Sequence, residues 1–138
     1  MTDRDPVEVT YMKPTEVLQQ LYDAFAAGDS ATLGNLLGDT DWIEARGGPY
    51  GGRYRGLAEV AANVFGPIAG DVSDFSAVPD EVVAVGNDRA LALGFYRGTT
   101  LVGPLEIRFA HLATVNAGRI TQFEQLTDTH EWRKAVAD

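Results

Sequence analysis

Cysteine is absent from this chain of 138 residues. That excludes disulfides, thiolate metal sites and a cysteine nucleophile. Histidine is scarce: His111 and His130 are the only two. Neither falls in an HxH or HExxH spacing, so the reading is of a protein with no metal site and no organic cofactor. Positive charge is short as well. Eleven Lys+Arg against 20 Asp+Glu leave a formal net charge of −9. A phosphate backbone would be repelled by such a chain, which also shows no basic stripe, so nucleic acid is not an expected partner. No apolar run approaches the roughly eighteen residues of a membrane-crossing helix. The opening MTDRDPVEVTYMK has no apolar signal segment. The expectation is a soluble cytoplasmic protein with no membrane partner.

What is present is 45% hydrophobic content, ample for one core in a chain of ordinary domain size, about 100–150 residues. Residues 1–13 read as an N-terminal extension and 14–138 as a single domain. Pro14 opens a helix and Gly28 closes it. Between them Val17, Leu18, Leu21, Tyr22 and Phe25 recur at spacings of three and four, giving one apolar face. Asp29 or Ser30 caps a second helix through Leu33, Leu36 and Leu37. Trp42-Ile43-Glu44-Ala45 reads as a short strand, and GGPYGG (47–52) as a loop. Leu57, Val60, Ala61, Val64 and Phe65 predict a third helix, stopped at Gly66-Pro67. The period then changes. Val82–Val85, Ala90–Tyr96, Leu105–Val115 and Ile120–Leu126 read as strands of an antiparallel meander, with short turns between them. A last helix starts near Thr129. Helices gathered before an antiparallel sheet give an α+β fold.

One histidine stands inside an apolar strand stripe. In PLEIRFAHLATVN, alternation places Ile107, Phe109, His111, Ala113 and Val115 on one face. A titratable ring there must find a partner or shift its pKa, because a desolvated charge is costly. With only apolar neighbours its pKa falls below about 6.5 and the ring stays neutral. With Asp128 as partner the charged form is favoured instead. Asp128 has a competing role: Asp128-Thr129-His130-Glu131 has the form of a helix N-cap with Glu at the third helical position. His130, beside Glu131 and Arg133, reads as a surface residue. Glu44 and Glu106 lie within or beside strands. Glu106 shares the face of Arg108, opposite His111, and reads as a solvated or interface charge. GGPYGG is no phosphate loop, because it lacks the Gly-Lys-Ser/Thr ending.

Three stretches, LYDAFAAGDSATLGNLL, GGPYGGRYRGLAEVAANVFGPIA and FAHLATVNAGRITQFEQLTDT, together with the chain length, carry a resemblance to a known family. The chain resembles the SnoaL-like, ketosteroid isomerase-related branch of the NTF2-like superfamily, from about residue 14 to 136. The resemblance implies a cone, with helices packed in the concave face of a curved, mainly antiparallel sheet. It also implies a deep pocket and a homodimer through the convex sheet face. Its chemistry varies, from isomerases and cyclases to non-catalytic binders. Carried over residue by residue, the isomerase's general-base position falls on Ala45, which cannot take a proton. Its tyrosine donor falls near Leu21, one step from Tyr22, and its second donor falls on His111. The last-strand aspartate of limonene-type epoxide hydrolases falls on Gln125, and no Arg-x-Asp precedes it.

The resemblance places Tyr22, Trp42, Tyr50, Tyr54, Phe65, Phe95, Phe109 and Phe123 in elements that line the cavity. Tyr50 and Tyr54 flank a glycine-rich loop suited to a lid. Phe109, His111, Phe123, Gln125 and Leu21 or Tyr22 are expected to converge on one cavity, with the His111 ring reaching into it. The candidate catalytic residues are His111 and Asp128. The candidate ligand-binding residues are Tyr22, Trp42, Tyr50, Tyr54, Phe109, Phe123 and Gln125. Two readings stay open. One is a lyase, isomerase or cyclase acting on a small apolar, steroid- or polyketide-like compound with His111 as acid or base. The other is a non-catalytic ligand-binding dimer. The outward faces, Ala110, Leu112 and Thr114 with Ile120, Gln122 and Leu126, are half apolar and predict a two-fold interface.

Overall fold

The computed structural model describes residues 12–136; residues 1–11 of the expected N-terminal extension lie outside the described residues. Helix α1 (Pro14–Ala27) starts on its proline and ends where Gly28 turns left-handed at φ 67°. Glycine adopts that conformation without a Cβ clash. Asp29 then caps α2 (Ser30–Leu37), its carboxylate accepting from the Thr32 N–H. Strand β1 (Asp41–Glu44) follows, and a second short strand, β2 (Gly52–Arg55), begins at the end of the segment read as a loop. The apolar faces of α1 and α2 bury Val17, Leu18, Leu21, Leu36 and Leu37.

The third helix does not stop at Gly66-Pro67. It runs as α3 (Gly56–Val60), a π-helical turn over Ala61–Phe65, and α4 (Gly66–Asp71). Pro67 falls in the first turn of the restarted α segment, where its missing N–H is not needed. The Gly66 N–H reaches back five residues to the Ala61 carbonyl. π turns of this kind recur at functional sites.

Four long strands complete the fold: β3 (Ser73–Val85), β4 (Arg89–Thr99), β5 (Pro104–Asn116) and β6 (Arg119–Thr127), before α5 (Thr129–Ala135). They form one six-stranded sheet in the order β2-β1-β6-β5-β4-β3. β1 joins β6 in parallel, and the other pairs are antiparallel. This is the α+β arrangement expected, with α1 across the concave face and packed on β3, β4 and β5. Among the described residues no helix is long and apolar enough to cross a membrane.

Parity along β5 holds as read: Leu105, Ile107, Phe109, His111, Ala113 and Val115 are all buried. Parity along β6 does not. The register slips between Thr114 and Val115, which pair with Gln122 and Ile120, so Thr121 is extra. That bulge re-aims the strand. Ile120, expected outside, is therefore buried, and Phe123 and Gln125 still face the core.

Candidate functional site

An apolar cavity opens between α1, the π turn and the concave sheet face. Its walls are Leu21, Tyr22, Phe25, Trp42, Glu44, Val64, Phe65, Ile68, Phe75, Ala77 and Tyr96. It spans about 440 Å³ counting its open mouth, of which about 50 Å³ is reachable by the centre of a water molecule. It is thus a slot rather than a bowl. By the same water-centre measure a wider hollow of about 270 Å³ lies between Gly70, Asp71 and Ser73, Thr99–Val102 and Ala135–Val136. Its one titratable group, Asp71, is already taken by the Tyr50 hydroxyl at 2.8 Å. The slot, by contrast, is lined by a buried carboxylate, that of Glu44.

Glu44 is the residue that sequence reasoning missed. It is 4% exposed, its Oε1 accepting from the Trp42 indole N–H at 2.8 Å. Burial pushes its carboxyl up to about 7, against the opposing hydrogen bonds from Trp42 and Gln125. A carboxyl raised toward neutrality is able both to take and to give a proton. The signal was available in the strand rule, because Trp42 and Glu44 alternate onto one face. The isomerase-like base position, carried over to Ala45, falls one residue from this carboxylate. The neighbouring Ala45 N–H instead donates to Gln125 Oε1 at 2.9 Å.

His111 does not line the slot. Its ring lies behind it, stacked on Phe109 at 4.0 Å between centroids and tilted against Phe123 at 4.8 Å. Both nitrogens are occupied: Tyr22 Oη lies 2.7 Å from Nδ1 and Tyr96 Oη 2.6 Å from Nε2. Burial pushes the imidazole down to about 3, so it is neutral, as the apolar stripe implied. A neutral ring donates through one nitrogen and accepts through the other. The direction follows from Gln125. Its Oε1 is fixed by the Ala45 N–H, so its Nε2 donates to Tyr96 Oη at 2.8 Å. That leaves Nε2 as the one acceptor for the buried Tyr96 proton among the described residues, so Tyr96 is assigned as its donor and Nδ1–H as the donor to Tyr22 Oη. Burial holds the phenol pKa of both tyrosines above the usual value, so both keep their protons. In that assignment the chain ends at the hydroxyl of Tyr22, a residue that lines the slot with Glu44.

The other predicted residues divide. Trp42 lines the slot and stacks on Phe123 at 3.9 Å. Phe109 and Phe123 support the His111 ring from behind rather than line the slot. Tyr50 stands on the far side of Glu44, with Gln125. The Tyr54 hydroxyl donates toward the Tyr50 and Gly51 carbonyls, both at 3.1 Å, and pins the glycine-rich loop. Phe95 faces outward under the Arg97 and Arg108 guanidinium groups. Asp128 is exposed and caps α5, accepting from the Glu131 N–H at 3.1 Å. It does not reach His111. Among the described residues no three His, Cys, Asp or Glu side chains cluster to hold a metal ion.

A family model described as a SnoaL-like domain matches residues 18–123. The chain belongs to the SnoaL-like domain family. Solved structures agree on the fold. An NTF2-like protein from Burkholderia thailandensis is 29% identical, with a TM-score of 0.82 over 92% of this chain and 99% of its own. TerC, co-crystallised with polyporic acid, is 23% identical, with a TM-score of 0.78 over 91% of this chain and 99% of its own. A protein with a ketosteroid isomerase-like fold from Catenulispora acidiphila, in complex with trimethylamine, is 13% identical, with a TM-score of 0.73 over 91% of this chain and 94% of its own. No curated protein matches the chain.

Proposed function

We propose that the slot binds a flat, apolar carbonyl compound and moves a proton on it, with Glu44 as the acid–base group and Tyr22 as the donor to the carbonyl oxygen. The observation that carries this reading is the pair itself. A carboxyl held near pH 7 by burial and the tyrosine that ends the His111 hydrogen-bond chain line the same narrow, aromatic slot. Removing a proton next to a carbonyl places negative charge on its oxygen, where a preorganised donor is worth most. Trp42, Phe25, Phe65 and Phe75 supply flat apolar walls, suited to an aromatic or polycyclic ligand of isomerase, lyase or cyclase chemistry. The co-crystallisation of TerC with polyporic acid supports a small organic ligand in this fold. In this reading His111 is a positioning residue: it fixes which way the Tyr22 proton points.

β-Tetralone, a compact bicyclic ketone, is a suitable probe in deuterated water. Wild-type protein is expected to speed deuteration next to its carbonyl, read by proton NMR. Glu44→Gln keeps the shape and removes the base, and is expected to lower that rate about 10²–10⁴-fold. Tyr22→Phe is expected to lower it about 10²–10³-fold. Wild-type protein that binds the ketone without exchanging its protons would leave the slot a binding site without catalysis.

A further inference from the structure

Glu44 has a second side. Behind it, away from the slot, lies a small chamber that it shares with Gln125, Tyr50, Trp132, Gly48 and Pro49. About 10 Å³ of it is reachable by the centre of a water molecule, room to place one. Trp132 is 2% exposed, and its indole N–H is a buried polar atom without a hydrogen-bond partner among the described residues. A buried unpaired donor is costly and rare in native proteins, and an ordered water is its usual partner. The small chamber that Trp132 lines is lined by Glu44 as well. Gly48 and Pro49, which also line the chamber, are half-buried and reach solvent.

We propose that this chamber holds a water bonded to the Trp132 indole N–H and to Glu44, and that this water exchanges the Glu44 proton with solvent while a ligand fills the slot. An indole N–H only donates. The water therefore accepts from Trp132, and both of its own hydrogens are left for Glu44 and for the mouth at Gly48–Pro49. As the Glu44 carboxyl gives its proton to the water oxygen, the water releases another outward. Glu44 is left as carboxylate and the water as water; the reverse sequence reloads it. Trp132 transfers no proton and acts as a positioning residue. The idea rests on Glu44 as the proton-transfer group and adds the route by which it resets without opening the slot.

The test reads Glu44 itself rather than turnover. Below neutral pH its protonated carboxyl gives an infrared band, assigned by its loss in Glu44→Gln, that shifts when the proton becomes deuterium. β-Naphthol, flat and not turned over, blocks the slot. In wild-type protein the band is expected to shift quickly on transfer to deuterated water, with or without β-naphthol. In Trp132→Phe, which keeps an aromatic wall and loses the donor, the shift is expected to slow about tenfold when β-naphthol is bound, the order of one lost hydrogen bond. Equal rates in the two proteins with β-naphthol bound would overturn the proposal, as would a wild-type band that stops exchanging once the slot is filled. A high-resolution crystal structure of unliganded wild-type protein checks the site independently: a water within hydrogen-bond distance of the Trp132 nitrogen is expected, and an empty chamber contradicts it. If β-tetralone exchange fails while this relay is seen, the proposed function is wrong and the chamber stands.

Discussion

Two buried titratable side chains, Glu44 and His111, pull stability in opposite directions with pH. The Glu44 carboxyl is raised from 4.5 to about 7. Between those values the unfolded chain has lost a proton that the folded protein keeps, so stability falls as pH rises. His111 is lowered from 6.5 to about 3. In that window the unfolded chain binds a proton that the folded protein refuses, so stability rises with pH. From pH 4.5 to 6.5 the two slopes overlap and cancel. Glu44→Gln removes one of them. Its unfolding free energy over that window is expected to climb by about 1.4 kcal/mol per pH unit relative to wild type. Urea melts at stepped pH measure this, and parallel curves for the two proteins would mean that Glu44 has an ordinary pKa. The histidine was legible in the sequence because a long strand gave its stripe a clear parity. Glu44 was legible only faintly, because a four-residue strand gives few alternations and the expected base position fell on Ala45. Tyr96 was not legible. Its meeting with His111 depends on the β4–β5 register, in which Ala92 rather than Tyr96 faces His111 directly.

Local geometry in the elements sets how closely the sheet can approach the site. On β4, Gly94 faces Phe109 across the strand pair. A Cβ there would meet the Val78 carbonyl, Phe109 Cζ at 2.6 Å and Pro79 Cα at 2.7 Å. Two of those three atoms are backbone and cannot move aside, and Phe109 is held against the His111 ring. Gly94→Ala is expected to cost about 1–3 kcal/mol and to weaken the Tyr22–His111 contact with it. A chemical denaturation midpoint equal to wild type would show that β3 can yield at its Pro79 bulge. At this scale the sequence was read well where an element carried its own boundary signal: Pro14 and Gly28 for α1, Asp29 for α2, Asp128 for α5. It was read poorly where tertiary pairing outweighed local pattern. β3 extends over Ser73–Val85, although only its last four residues looked like a strand, because Ser, Asp and Pro suit a sheet edge. β2 hid in a glycine-rich segment, since four residues paired to β1 need no apolar stripe.

For the whole molecule, the concave side of the sheet is filled by helices and the convex side is not. Leu126 and Val78 are 52% and 53% exposed there, among half-buried Leu91, Leu93, Phe95, Ala110 and Leu112. The ion pairs Arg97–Glu106 and Arg108–Asp80 flank them. An apolar strip with a charged border is the composition of a specific protein interface. Light scattering is expected to give twice the 14.9 kDa chain mass. Leu112→Glu, which sets a carboxylate beside Glu124 across the β5–β6 pair, is expected to halve it. A wild-type mass of 14.9 kDa would refute pairing through this face.

Helix α1 brings Tyr22 and strand β1 brings Glu44 to the same slot. The most direct test of that pairing is the titration of Glu44 itself, followed by carbon-13 NMR of its carboxyl, beside the pH dependence of β-tetralone deuteration. Both are predicted to share a midpoint near 7, with exchange rising as the carboxylate forms. A Glu44 midpoint near the ordinary 4.5, or an exchange rate indifferent to pH through neutrality, would contradict the account.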